Sequence, residues 1–253
     1  MHPVLFEYGR ITLYTYGLFV ALAFIAGLWL AGREAERRGL DPRMVQDLGF
    51  LVLIAAILGA RLFFVLIEWR HFVDHPLQVF EIWKGGLVFY GGFTAAILAG
   101  VLYVRAKELP TWDVGDLAVP SLALGQALGR LGCFFAGCCF GAECDLPWAV
   151  TFSDPRSLAP LGVALHPSQL YAAAANLVIF AVLYWGVRLR QSSSGQVLGS
   201  YLVLYPTTRF LLEFLRDDPR GALGGLSTSQ ALGIPLLAVG LWILFTRRPG
   251  RET

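Results

Sequence analysis

Val45–Ile67 reads VQDLGFLVLIAAILGARLFFVLI. Apart from Gln46 and Asp47 at its start and Arg61 near its end it is apolar, and it is long enough for a helix to cross about 30 Å of hydrocarbon, which takes about 20 residues. Arg61 is the exception that carries information. A cation near the bilayer centre costs about 2.5–3.5 kcal/mol on insertion scales, so it faces a protein interior or a watery cavity. Two more arginines stand in such runs: Arg130 within Val114–Phe135, and Arg209 within Val197–Leu215, with Glu213 one helical turn beyond it. Their natural partner is an anion. The plainer alternative is that each pairs with a carboxylate or with backbone carbonyls and only holds helices together.

The rest of the chain repeats the pattern. Of 253 residues, 56% are hydrophobic and 15% charged, and the mean hydropathy is +0.61, a balance that a water-facing surface hardly supplies. Further apolar runs lie at Leu13–Ala31, Gly86–Val104, Leu170–Val187 and Ala231–Phe245. The expected fold is therefore all-α: a polytopic membrane protein of about seven transmembrane helices, forming one domain over residues 1–253. Continuous apolar runs without strict alternation exclude a barrel. The first run follows Glu7 and Arg10 and has no small-residue cleavage pattern, so it reads as a helix rather than a signal peptide. No basic block suggests nucleic acid.

Lysines and arginines set the expected orientation. Arg33, Arg37, Arg38, Arg43, Arg105, Lys107, Arg188, Arg190, Arg247, Arg248 and Arg251 fall on one side, and Arg10, Arg70, Lys84, Arg156, Arg216 and Arg220 on the other. By the positive-inside rule the N-terminus is periplasmic and the C-terminus cytoplasmic. Arg61, Arg130, Arg209 and Glu213 then all lie in the outer half of the membrane, at the depth reached by Tyr16, Tyr90 and His166. Residues 68–84, with Trp69, His71, His75 and Trp83, and residues 141–166, with Trp148, read as interfacial segments anchored by tryptophan.

The densest motif is Gly129-Arg130-Leu131-Gly132-Cys133-Phe134-Phe135-Ala136-Gly137-Cys138-Cys139-Phe140-Gly141. Its glycines allow close packing or a broken helix, and freed amides beside a guanidinium that grips two oxygens at once would cradle a phosphate. The cysteines, with Cys144, are spaced C-x4-C-C-x4-C, which matches neither zinc pairs nor iron–sulfur patterns, so no metal is expected. A disulfide is the better-supported alternative. Tyr205, Arg209 and Glu213 share one helix face at intervals of four, and His166-Pro167-Ser168-Gln169-Leu170-Tyr171 opens a helix with proline in its first turn.

Together these segments resemble the prolipoprotein diacylglyceryl transferases. The blocks are Tyr16-Gly17-Leu18, Gly59-Ala60-Arg61, Gly85-Gly86-Leu87, Gly91-Gly92-Phe93, Gly129-Arg130-Leu131-Gly132 with Gly141, His166 to Tyr171, Tyr205 through Arg209 to Glu213, and Leu226-Ser227-Thr228-Ser229-Gln230. The resemblance implies an enzyme of the bacterial inner (cytoplasmic) membrane with no cofactor. It would move diacylglyceryl from phosphatidylglycerol to the lipobox cysteine of a prelipoprotein signal peptide and release glycerol phosphate. Arg130 and Arg209 match the arginines that hold the headgroup, and Tyr16, Tyr205, Glu213 and Gly141 match other motif positions. Tyr90, beside Gly91 and Gly92, replaces the family's usual histidine, and Cys133 and Cys138 stand where its signature usually has Asn and Glu.

The expected chemistry is attack of the substrate thiolate on the glyceryl carbon that bears the phosphate ester. Arg130 and Arg209 take the leaving-group charge, Glu213 completes the catalytic set, and Tyr90 or His166 relays the thiol proton. Two other readings use the same residues: a relative that binds phosphatidylglycerol or lipopeptide without transfer, and a small anion transporter, which arginines spread over both membrane halves would favour.

Overall fold

The computed structural model describes residues 2–9, 11–82, 85–217, 222–223 and 225–247. Trp83 and, among the basic residues used for orientation, Arg10, Lys84, Arg220, Arg248 and Arg251 lie outside them. The elements run β1 Val4–Tyr8, β2 Ile11–Tyr14, α1 Thr15–Arg37, α2 Pro42–Ile67, α3 Trp69–Asp74, α4 Phe89–Ala106, α5 Thr111–Ala136, β3 Val150–Thr151, β4 Ala164–Leu165, α6 Ser168–Ala181, α7 Gln196–Leu212, β5 Ala222–Leu223, β6 Leu226–Ser227 and α8 Thr228–Thr246. Helix α6 continues as a π turn to Val187 and a 3-10 turn to Arg190, and α7 as a 3-10 turn over Glu213–Leu215.

Among the described residues, six helical segments are long and apolar enough to cross a membrane: α1, α2, α4, α5, α6 with its extension to Arg190, and α8. The expected run at Val197–Leu215 forms α7, whose 17 residues reach only about 26 Å at 1.5 Å per residue. Exposed apolar side chains such as Ile25, Ile54, Leu58, Leu98 and Trp242 cover these helices, as lipid contact requires. The chain is thus a multi-pass membrane protein.

The expected mostly helical architecture holds, with one addition. Three two-stranded antiparallel hairpins, β1–β2, β3–β4 and β5–β6, occupy the connections, because backbone groups there still need partners and a short ladder supplies them. Leu13 and Tyr14 therefore belong to a strand, and α1 begins at Thr15, whose hydroxyl donates to His2 O at 2.6 Å. The third run also starts later than expected, at Phe89. Other helix ends follow local chemistry. Asp41 caps α2 by accepting from Arg43 N at 2.9 Å, with Pro42 in the first turn, and Ser227 and Gln230 form a reciprocal capping box on α8.

The chain falls into two compact units, residues 32–114 and residues 1–31 with 115–253. In the smaller, α2 and α4 pack closely through glycine: a Cβ on Gly91 would lie 2.5 Å from Gly59 O, and one on Gly92 2.7 Å from Ala56 O. In the larger, Val119, Ala123, Ile179, Leu183, Val197 and Tyr201 form a core joining α5, α6 and α7.

The larger unit also holds a buried carboxylate. Asp116 is 1% exposed and accepts from Gly195 N and Leu198 N, both at 2.7 Å, and from the Gln191 amide. A negative charge at the N-terminus of α7 satisfies amides that have no partner within the helix. Asp116→Ala leaves those donors unpaired. The expected cost is about 3 kcal/mol, read as a lower unfolding midpoint in detergent; an unchanged midpoint would show that water replaces the carboxylate.

Candidate active site

Arg130 sits on α5, one and a half turns before the helix ends at Ala136. Gly137 then takes a positive φ of 76° and Cys139 one of 59°, the left-handed region that a non-glycine residue enters only when its surroundings hold it there. The holding groups come from the first turn of α6. Ser168 Oγ donates to Cys139 O at 2.7 Å, and Gln169 Nε2 to Cys138 O at 2.8 Å. Both side chains are buried. The His166–Tyr171 motif, expected mainly as a helix start, is therefore also the clamp on the cysteine turn.

Gly141 ends that turn at a three-way crossing. Its N–H donates to His166 O at 3.1 Å, Ala142 N donates to Leu215 O at 3.0 Å, and Gly141 bridges Arg216 in an isolated antiparallel pair. A Cβ there would lie 2.6 Å from Leu215 O and from His166 Cβ, so only glycine lets the three backbones meet. The His166 ring has its Nδ1 3.4 Å from Tyr171 Oη, which accepts from Trp148 Nε1 at 2.6 Å.

Beyond α5 a narrow cleft opens, lined by Arg130, Asn176, Tyr205, Thr208, Arg209 and Arg216 together with apolar residues of α6 and α7. Its enclosed space is about 20 Å³, room for about one water, so anything larger enters only as side chains move. Arg209 binds the Glu213 carboxylate and donates to Ser229 Oγ at 2.9 Å, and Ser229 Oγ is 3.2 Å from Glu213 Oε1. This triangle ties the end of α7 to the capped start of α8. The expected i,i+4 pair is present, and it uses part of the charge of Arg209.

Arg130 is different. Among the described residues its guanidinium has no hydrogen-bond or ion-pair partner. Cys133, Cys139, Tyr205 and Arg216 lie within its electrostatic reach. Tyr16 is a neighbour too, packed against Gly132 and within the same reach of Arg130 and of Cys133, Cys138 and Cys139. Three arginines thus line one cleft, and the Glu213 carboxylate is bound to one of them, Arg209.

All four cysteines are free thiols. The sulfurs of Cys133, Cys138 and Cys139 lie within 4.8 Å of one another, a grouping their spacing did not foretell. The Cys139 thiol is held below the usual thiol range by hydrogen bonds with Cys133 and Cys138, helped by Arg216 and Arg130.

Arg61 resolves on the plain side of its alternatives. Its Nε donates to Val79 O at 2.9 Å, Nη1 to Gly85 O at 2.8 Å and Gly86 O at 3.1 Å, and Nη2 to Gln78 O. Phe64 and Phe72 flank it at 5.5 and 5.4 Å. Tyr90, Gly91 and Gly92 belong to the same smaller unit. Tyr90 is partly open, its ring edge-on to Phe89 at 5.6 Å, whereas Gly91 and Gly92 press on α2.

Sequence reasoning missed Arg216, placed in a loop by count, and Asn176, inside an apolar run. Asn176 is 5% exposed, and its Oδ1 has no partner among the described residues. The available signal was a buried-type amide one helical turn beyond Ala172, whose carbonyl it binds at 2.8 Å.

Fold and site together define a multi-pass helical membrane protein with an arginine-lined cleft on its larger unit. The family model described as prolipoprotein diacylglyceryl transferase matches residues 3–246. A phosphatidylglycerol–prolipoprotein diacylglyceryl transferase of Thermosynechococcus vestitus is 38% identical over 94% of this chain and 90% of its own length. Enzymes of that name from Clostridium tetani and Synechococcus elongatus are 33% and 37% identical, covering 96% and 97% of this chain and 96% and 89% of their own. The chain belongs to the prolipoprotein diacylglyceryl transferase family.

Proposed function

We propose that the Arg130–Arg209 cleft is where this transferase holds phosphatidylglycerol while its diacylglyceryl group passes to the lipobox cysteine of a prelipoprotein. The observation that carries this reading is that Arg130 has no hydrogen-bond or ion-pair partner among the described residues. A buried-side guanidinium left open at membrane depth is unfavourable unless an anion completes it, and the phosphodiester of the lipid is such an anion.

The substrate thiolate attacks the glyceryl carbon bonded to the phosphate oxygen. The carbon–sulfur bond forms as the carbon–oxygen bond breaks, and the bonding pair stays on the departing glycerol phosphate. Arg130 grips the growing charge with two donors. Arg209, oriented by Glu213 and Ser229, supplies the second contact, with Tyr205 and Tyr16 at the walls and Gly141 fixing the rim. Asn176 Oδ1 suits a headgroup hydroxyl. His166, through Tyr171, carries the thiol proton away.

The finer architecture belongs to the same reading. The chain acts as one transferase domain, supported by the family match along nearly its whole length. Gln196–Leu215 serves as a seventh crossing, the N-terminus is periplasmic and the C-terminus cytoplasmic, and the enzyme works at the outer leaflet of the inner membrane.

Purified protein incubated with phosphatidylglycerol and a lipobox peptide should yield peptide heavier by one diacylglyceryl group, together with glycerol phosphate. Absence of that product would end the proposal.

A further inference from the structure

We propose that Cys133, Cys138 and Cys139 hold a zinc ion whose fourth position takes the lipobox thiol. This rests on the transferase reading above and supplies its missing thiol-activating group.

The observations are geometric. Three sulfurs from one helix end and the turn after it lie mutually within 4.8 Å, and zinc–sulfur bonds of about 2.3 Å bring tetrahedral sulfurs to about 3.8 Å apart. The approach needed is small. The turn is already fixed by Ser168 and Gln169 through the carbonyls of Cys139 and Cys138, so the ligand backbone is ordered without a metal to order it. Three soft donors select zinc or a similar thiophilic ion. No fourth protein donor joins them among the described residues, and Cys144 is held elsewhere by its own bond to Ala164 O at 3.1 Å. Structural zinc sites are closed with four protein ligands, whereas three with an open position mark a site that takes substrate.

Charge and position agree. Zinc with three thiolates carries one negative charge, and a substrate thiolate makes it two. Arg130 and Arg216 both lie within electrostatic reach of Cys139. The same Arg130 lines the cleft assigned to the phosphate, so nucleophile and leaving group meet around one guanidinium. Coordination makes the substrate thiol acidic, and its proton leaves by the His166–Tyr171 route given above. The zinc-bound sulfur then gives its lone pair to the glyceryl carbon as the carbon–oxygen pair leaves with glycerol phosphate, and the neutral thioether dissociates from the metal. Zinc begins and ends as the divalent ion.

The test uses the full-length enzyme purified without chelator. Metal analysis should find about one zinc per chain in the wild type and in Cys144→Ser, and little in Cys133→Ser, Cys138→Ser or Cys139→Ser. Because a serine variant can misfold, the wild type is also stripped with a chelator and reloaded with cobalt(II). Reloading should restore transfer and produce sulfur-to-cobalt charge-transfer absorption. A lipobox peptide should shift that absorption, and the same peptide with serine in place of its cysteine should not. Undiminished transfer by metal-free enzyme overturns the proposal while leaving the transferase reading intact, as does a disulfide among the three cysteines in active protein. Zinc-loaded enzyme that binds the peptide but makes no product overturns the transferase reading instead.

Discussion

Arg130→Gln should lower diacylglyceryl transfer by about 10²- to 10³-fold, the usual cost of removing one donor to a developing oxyanion, with almost no change in the unfolding midpoint. The two halves of that expectation come from one fact. Arg130 has no hydrogen-bond or ion-pair partner among the described residues, so its loss orphans no acceptor, and glutamine relieves repulsion from Arg209 and Arg216 in the same cleft. Lysine should recover only part of the rate, since a point charge cannot grip two oxygens in the planar fork that guanidinium provides. Steady-state transfer measured beside thermal unfolding in detergent separates the cases. Full activity in Arg130→Gln would refute the phosphate assignment. A collapsed midpoint would show that the residue is structural after all.

The reverse pattern is expected at Arg61. Arg61→Leu removes a donor shared by the carbonyls of Gln78, Val79, Gly85 and Gly86; Glu81 N still bonds Gln78 O at 3.1 Å, and each of the others costs about 1–3 kcal/mol if left unpaired. A neighbouring cavity of about 260 Å³, lined by Glu68, His71 and Glu81 among others, lets water reach some of them. The net loss should therefore be about 3–5 kcal/mol, which lowers the unfolding midpoint by about 6–20 °C. Molecules that remain folded should keep most of their turnover, because the cations of the cleft are untouched. A midpoint equal to that of the wild type would mean that the loop over Arg61 does not depend on it.

These two arginines also mark how far the sequence could be read. Both stood out as charges in apolar runs, and nothing local distinguishes them. What separates them is that Gln78, Val79, Gly85 and Gly86 bring four carbonyls to Arg61, whereas Arg130 has no hydrogen-bond partner among the described residues. Contacts at short separation were legible: the Arg209–Glu213 pair, the helix start at Pro167 and the apolar spans themselves. Contacts across long separations were not. Ser168 and Gln169 bind carbonyls about thirty residues back, so the cysteine turn looked like a spacing that fitted no metal. Arg216 looked like an ordinary loop cation until the 3-10 turn at Glu213–Leu215 carried it to the cleft. Two of the three hairpins escaped because two-residue strands have no periodicity to detect.

The crossing at Gly141 has a bearing on variation within the family. Its bonds run between main-chain groups of Gly141, Ala142, Leu215 and His166, and main-chain groups are the same whatever side chain they carry. Positions 142 and 215 can therefore drift, and the segment between Gly141 and His166 can change its composition to suit different precursor peptides, without loosening the rim of the cleft. That freedom rests on one residue that cannot drift, since any side chain at 141 would push the three backbones apart.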